Sequence, residues 1–346
     1  MWADCAKALG IFLVFWGHLI EAPGYGGNNL LLQVYRHIYS FHMPFFFLLA
    51  GFFFRYRQRT FISLIFEKIR TRLLPVLFFV AMALPLWLNA AALGLHHVDS
   101  AGMMQKQWLL FQGKPVANWP SWFLVCLFTV ELIAAEILPL LSRRWMLWLS
   151  IPLMYILARL MTNNLFQVAN IMGFVENWWF VQEAMMGLFF YTVGYTLATG
   201  KNWMLPTSSL FRSLMVVIFT AVLLVVSTKL CFDGNRAAVN MSGSIHGHWF
   251  WFPVAALSGS LLLMHLSSCL PANRLLNYIG QNTLPLIGLC GLFLSFFNPI
   301  LWKLFPVPGE ITSLLVSAVL AVASLLVCIP VVYILKRFVP FLIGVK

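Results

Sequence analysis

Lys7 and His18 stand at the two ends of an otherwise apolar stretch, with ten residues between them. A step of eleven residues turns an α-helix through about three full turns, so the two side chains share one face. The same step climbs roughly 16 Å, about half of a bilayer's hydrocarbon core. An imidazole at that depth is costly and is read first as a functional group. If neutral, it could take a proton from a hydroxyl or briefly carry an acyl group. Asp4, three positions before Lys7, is placed to pair with it at the helix entrance. Ala3, Ala6, Gly10 and Gly17 form a small-residue stripe beside the His18 face and predict a close helix neighbour.

A second apolar stretch begins Arg36-His37-Ile38-Tyr39-Ser40-Phe41-His42-Met43-Pro44. If it runs antiparallel to the first, His42 lies at a depth comparable to His18, and the two imidazoles could converge on one cavity. The blander alternative is that His42 braces the backbone loosened by Pro44. A basic cluster follows, with Arg55, Arg57 and Arg59 and then Lys68-Ile69-Arg70-Thr71-Arg72 leading into a helix. Guanidinium forks suit phosphates. Such clusters also anchor to anionic lipid headgroups and set topology. Lys68, Arg70 and Arg72 are the better ligand candidates. Glu131, Glu136 and Glu183 fall inside apolar stretches, and each could line a cavity. His246-Gly247-His248 and His96-His97-Val98-Asp99 have no specific metal spacing, so no metal is expected. His265 reads as a packed residue. No P-loop, HExxH, GxSxG or dinucleotide fingerprint is present.

The elements that must hold these groups are membrane helices. Of 346 residues, 61% are hydrophobic and only 22 basic and 10 acidic residues occur, which excludes an ordinary soluble domain. The expected class is all-α, a polytopic membrane helical bundle forming one domain over residues 1–346. Ten apolar segments run over 6–20, 37–54, 73–95, 121–141, 145–161, 179–198, 213–230, 249–269, 284–302 and 312–335. The longest polar-leaning loops are 96–120, 162–178 and 231–248. With ten spans and both termini cytoplasmic, 15 of the 22 Lys and Arg residues fall on the cytoplasmic side, as the positive-inside rule requires. The net charge of +12 therefore points to membrane orientation and not to nucleic acid. Six scattered cysteines, with no CxxC pair, read as small packing residues. No small-residue cleavage site follows the first segment, and an arm upstream of Met1 is left open.

Trp2-Ala3-Asp4-Cys5-Ala6-Lys7 through Gly17-His18 resembles the opening helix of the membrane acyltransferase-three family. Phe41-His42-Met43-Pro44 through Gly51 resembles its second helix, and Trp122–Phe128 and Tyr278–Leu284 echo later blocks. The flavour is closest to the fucose 4-O-acetylase-like branch. The resemblance implies a multi-pass enzyme of a bacterial-type cytoplasmic (inner) membrane. Such an enzyme moves an acyl group, usually acetyl from acetyl-CoA, to hydroxyls of sugars or envelope glycans. The family's basic residue, ten positions and histidine match Lys7 and His18. Its cytoplasmic pair of arginines, with two residues between them, has its nearest match in Lys68-Ile69-Arg70-Thr71-Arg72, with altered spacing. Cys290 stands where many members carry a histidine.

These readings combine into an O-acyltransferase. Acyl-CoA would dock its phosphates on Lys68, Arg70 and Arg72, and Lys7 would guide the thioester arm. His18 would act as general base or acyl carrier, while His42 would orient the acceptor or polarise the carbonyl. Membrane lipids, acyl-CoA and a sugar or glycan acceptor are the expected partners. The alternative is a transporter or flippase of a polar lipid or solute, supported only by ten spans, intramembrane histidines and broken helices, and opposed by the lack of paired repeats and of an energy-coupling motif. A third reading is a nonenzymatic sensor that has lost activity.

Overall fold

In hydrocarbon, every backbone N–H and C=O must be satisfied within the chain, so apolar stretches of this length become helices. A computed structural model describes residues 2–21, 29–90, 92, 99–141, 143–162, 177–200, 206, 209–232, 238–271, 273–305 and 309–344. Among these residues there is no β-strand, and each of the ten apolar segments contains a helix. The first half has α1 Trp2–Glu21, α2 Asn29–Phe52, α3 Phe61–Lys68, α4 Leu74–Leu88, the short α5 Ser100–Gln105, α6 Trp122–Ile137 and α7 Arg144–Leu160. The second half has α8 Val181–Thr199, α9 Leu210–Cys231, α10 Trp251–Cys269, α11 Arg274–Gln281, α12 Thr283–Leu292, α13 Asn298–Leu304 and α14 Glu310–Phe338.

Among the described residues, seven helical stretches are long and apolar enough to cross a membrane: Trp2–Glu21, Phe61–Leu88, Gln107–Leu140, Leu210–Cys231, Trp251–Cys269, Thr283–Leu304 and Glu310–Phe338. The expected count of ten would add α2, α7 and α8. Helix α7 has only 17 residues. Helices α2 and α8 are more polar, and they pack on each other in the interior, where helix partners replace lipid. Buried Glu183, Thr192 and Thr196 on α8 are tolerated for that reason.

Helix α2 also packs on α1 and α10, and α1 on α11, α14 and α10, so the first two helices lie at the centre. Small residues set these approaches. A Cβ on Gly194 of α8 would run into the carbonyl of Leu48, and one on Gly51 of α2 into that of Tyr191. On α1, a Cβ at Gly17 would lie 2.8 Å from the Tyr39 ring, and one at Gly10 2.9 Å from Phe46. The small-residue stripe on α1 does have a close neighbour, and it is α2.

Two departures from regular helix matter for the site. Residues Ile69–Leu73 form a π-helical turn that joins α3 to α4. Such turns are frequent at functional positions. The stretch Val116–Ser121, of which residues 116–120 were expected in an outer loop and Ser121 at the start of an apolar segment, is packed against α12 and α4, with Ala117, Asn118, Pro120 and Ser121 buried. Asn118 leaves helical geometry at φ −142°, ψ 72°. Its side chain compensates by donating to the Gly288 carbonyl (2.8 Å) and accepting from Ser121 Oγ (3.0 Å). Trp87 Nε1 donates to the Ala117 carbonyl at 3.0 Å. Irregular backbone at this depth requires such partners.

Because the α2–α8 crossing has no space for a side chain at Gly194, Gly194→Val should destabilise the protein by about 1–3 kcal/mol, the usual cost of overpacking. Thermal unfolding in detergent measures this, and an unchanged midpoint would contradict the packing described.

Candidate active site

The basic residues after α2 collect at one end of the bundle. The π turn places Lys68 and Arg72 almost one above the other, because about one wider turn separates residues four apart. Both meet Glu131 on α6, which is buried. Lys68 Nζ lies 3.1 Å from Glu131 Oε1. Arg72 grips the carboxylate in a fork, with Nη2 at 2.9 Å from Oε1 and Nε at 3.0 Å from Oε2. Arg70 is two positions from each and lies on the exposed face of the turn, outside this cluster. Residues two apart do not share a helical face. Of the expected trio Lys68, Arg70 and Arg72, the structure joins the first and last through Glu131 and leaves Arg70 exposed outside that cluster.

The cluster opens into a cavity of about 460 Å³. Lys7, Arg55, Arg57, Arg59, Lys68 and Arg72 line it, against two carboxylates, Glu67 and Glu131. Asp4 holds Lys7 at 2.6 Å, the ion pair expected from their spacing. Arg59 pairs with Glu67. Arg55 Nη1 donates back to the Phe54 carbonyl at 2.9 Å, just beyond the C-terminus of α2. Six cations and two acids leave an excess of positive charge, so the cavity suits an anion. A side cavity of about 290 Å³ shares Phe54, Arg57 and Arg59 with it and contains Glu136.

The two histidines meet at the other end of α1 and α2. His18, in the last turn of α1, places Nδ1 3.1 Å from Glu21 Oε2. The Tyr39 hydroxyl lies 3.1 Å from the same nitrogen and donates to Glu21 Oε2 at 3.0 Å. Glu21 is one helical turn beyond His18, which puts both on one face. In a neutral ring whose Nδ1–H faces the carboxylate, Nε2 keeps its lone pair. His42 donates from Nδ1 to the Ile38 carbonyl at 2.8 Å, so its Nε2 is likewise an acceptor. The Tyr39 ring lies between the imidazoles, 6.1 Å from His18 and 4.7 Å from His42.

His18, Glu21, Tyr39 and His42 line a second cavity of about 140 Å³. Trp119 and Trp122 form one wall, and Val239–Ser242 cover it. Trp119 Nε1 donates to Ser242 Oγ at 3.3 Å, and Ser244 Oγ donates to Glu183 at 2.8 Å. Glu183 therefore braces the cover and does not line the cavity. His248 Nδ1 accepts from the Phe250 and Trp251 amides at the start of α10, which is capping rather than ligation. His96 and His97 lie outside the described residues. Cys290 is buried in α12 and lines neither cavity. His265 is fully buried, the packed position expected.

The structure thus brings His18 and His42 into one cavity, and Lys7, Lys68 and Arg72 into another. Glu21 and Tyr39 were not singled out from the sequence. Their signal was there, since Glu21 follows His18 by three and Tyr39 precedes His42 by three. The cover at 239–242 gave no such signal, because its contact with Trp119 bridges more than a hundred residues.

Residues 2–333 match a family model described as an acyltransferase domain, of the acyltransferase-3 type. Comparison with curated proteins gives no match, and neither does comparison with solved structures.

Removing Arg72 takes the fork from buried Glu131 and leaves Lys68 as its remaining partner. Arg72→Met should therefore destabilise the protein by about 1–3 kcal/mol, the cost of hydrogen bonds lost to a buried group. Arg70→Ala, on the exposed face, should stay within about 0.5 kcal/mol. Denaturation in detergent compares the two, and equal effects would refute this division.

Beside the cover, His246 is buried against Phe252 and near Arg159. Burial first, and then the Arg159 charge, push its imidazole down to about 3. An unfolded histidine titrates near 6.5. Between these values the unfolded chain binds the extra proton. Stability is therefore full above about pH 6.5 and falls below it by up to about 1.4 kcal/mol per pH unit. His246→Gln should remove that component, and identical pH profiles would count against it.

Proposed function

The chain belongs to the acyltransferase-3 family of membrane proteins, and from that premise we propose that it carries acetyl from cytoplasmic acetyl-CoA to a hydroxyl of a sugar or cell-envelope glycan. The observation that carries this reading is the pairing of two cavities along α1. A cation-lined one lies at the Lys7 end and a histidine-lined one at the His18 end. A phosphate-rich donor suits the first and a neutral hydroxyl acceptor the second.

On this reading the basic end faces the cytoplasm of a bacterial-type inner membrane. The CoA phosphates lie among Arg55, Arg57, Lys68 and Arg72, with Glu131 holding the last two in register. Arg70 contributes at the surface only. The thioester arm runs past Lys7 toward the histidine end. His18 Nε2 accepts the proton of the acceptor hydroxyl as that oxygen bonds to the thioester carbonyl carbon. The carbon–sulfur bond then breaks, and the departing thiolate takes the proton from His18. Glu21 holds the imidazolium in place between these steps, and Tyr39 holds Glu21. His42 presents an acceptor nitrogen, which suits it to orient the hydroxyl and not to polarise the carbonyl.

Tyr35, Tyr39, Trp119 and Trp122 offer ring faces for the apolar side of a sugar, while Asn240 and Ser242 offer polar atoms above. The resemblance to the fucose 4-O-acetylase-like branch supports the same acceptor class. Among the described residues no feature favours transport over transfer.

The direct test is turnover of radiolabelled acetyl-CoA by protein in nanodiscs with a panel of sugars. His18→Ala should lower the rate about 10²–10⁴-fold, the usual contribution of a general base. Glu21→Gln should give a smaller loss in the rate with little change in acetyl-CoA binding. Full activity in His18→Ala would end this assignment.

A further inference from the structure

The two cavities share three lining residues: Phe46 on α2, Phe123 on α6 and Ile287 on α12. All three are buried, at 7%, 4% and 4% exposure. The rings of Phe46 and Phe123 lie 5.9 Å apart. Phe123 is held from behind by Phe47, at 4.9 Å. Phe46 lies over Gly10 of α1, three residues above Lys7 and eight below His18. The partition thus stands about 12 Å short of the imidazole along the helix. Every other polar wall belongs to one side of it or the other.

Such a partition has a physical task. Each cavity cuts into the bundle, and together they would make an aqueous path across it. A constriction lined only by apolar side chains empties of water and blocks ions. We propose that Phe46, Phe123 and Ile287 form an apolar septum that seals the two cavities from each other, and that the slender neutral acyl-thioester arm of the donor parts it to reach His18. Pro44 supplies the means of parting. It lies two residues before Phe46 and removes the amide that would bond the Ser40 carbonyl, which weakens α2 at that turn. The seal follows from the geometry alone, whereas the passage of the arm rests on the acetyl-CoA reading.

Proteoliposomes carrying an internal pH dye test both parts. The Phe46→Ala/Phe123→Ala protein should leak protons at least ten times faster than wild type, and acetyl-CoA added at the basic end should slow that leak. The Phe46→Leu/Phe123→Leu protein should stay tight, because it keeps an apolar plug. Ile287→Trp keeps the core filled. It should bind CoA as wild type does yet lose acetyl transfer at least tenfold, since the arm cannot pass. A monodisperse double-alanine protein as tight as wild type would overturn the septum, as would full transfer by Ile287→Trp. If wild type shows no transfer while the leak pattern holds, the acetyl-CoA reading fails and the seal stands.

Discussion

The missing side chains at Gly10 and Gly17 are the constraint on which the site depends. They allow α2 to lie on the backbone of α1, with Tyr39 against Gly17 and Phe46 against Gly10. One helix pair then supplies the histidine cluster and the lysine below it. Lys7, His18 and Glu21 come from α1, and Tyr39, His42 and Phe46 come from α2. In hydrocarbon there is no hydrophobic drive for two helices to associate, so close packing of this kind must do the work. Gly51 against the Tyr191 carbonyl and Gly194 against that of Leu48 repeat the device between α2 and α8, and so fix α2 from its other side.

Charge is placed with the same economy. Glu131 is buried between half-buried Lys68 and Arg72, an arrangement that seldom favours stability over an apolar core. Its use is positional. One carboxylate holds two cations at the mouth of a cavity and leaves a net positive charge there. At the histidine end the carboxylate of Glu21 holds a single imidazole and leaves one ring nitrogen toward the cavity. The same residue type thus organises both ends. One end is suited to a highly charged donor and the other to a neutral hydroxyl. Between them lies an apolar layer that neither charge crosses.

Much of this was legible in the sequence because it is local. Helical class followed from apolar runs, the shared face of Lys7 and His18 from an eleven-residue step, and the Asp4–Lys7 pair from a three-residue step. Convergence of His18 and His42 followed from an antiparallel arrangement of neighbouring helices. What was not legible is equally physical. Arg70 stood with Lys68 and Arg72 in sequence, and the π turn leaves it exposed outside the cluster those two form with Glu131. Glu131 was one of three carboxylates inside apolar stretches with nothing local to rank them, since its partners lie about sixty residues earlier. Val116–Ser121 looked like loop because its sequence is polar and proline-containing, yet Asn118 satisfies enough backbone for it to lie inside. The cover over the histidine cavity depends on a tertiary contact that no spacing rule encodes.

The central claim is that donor and acceptor approach His18 from opposite ends of α1. The most direct test is a sided assay in proteoliposomes of known orientation, with acetyl-CoA and an impermeant sugar each confined to one side. Acetylated sugar should form only when acetyl-CoA is at the face bearing Lys7 and Arg72 and the sugar is at the face bearing Glu21. Equal product with both substrates on one side would contradict the account.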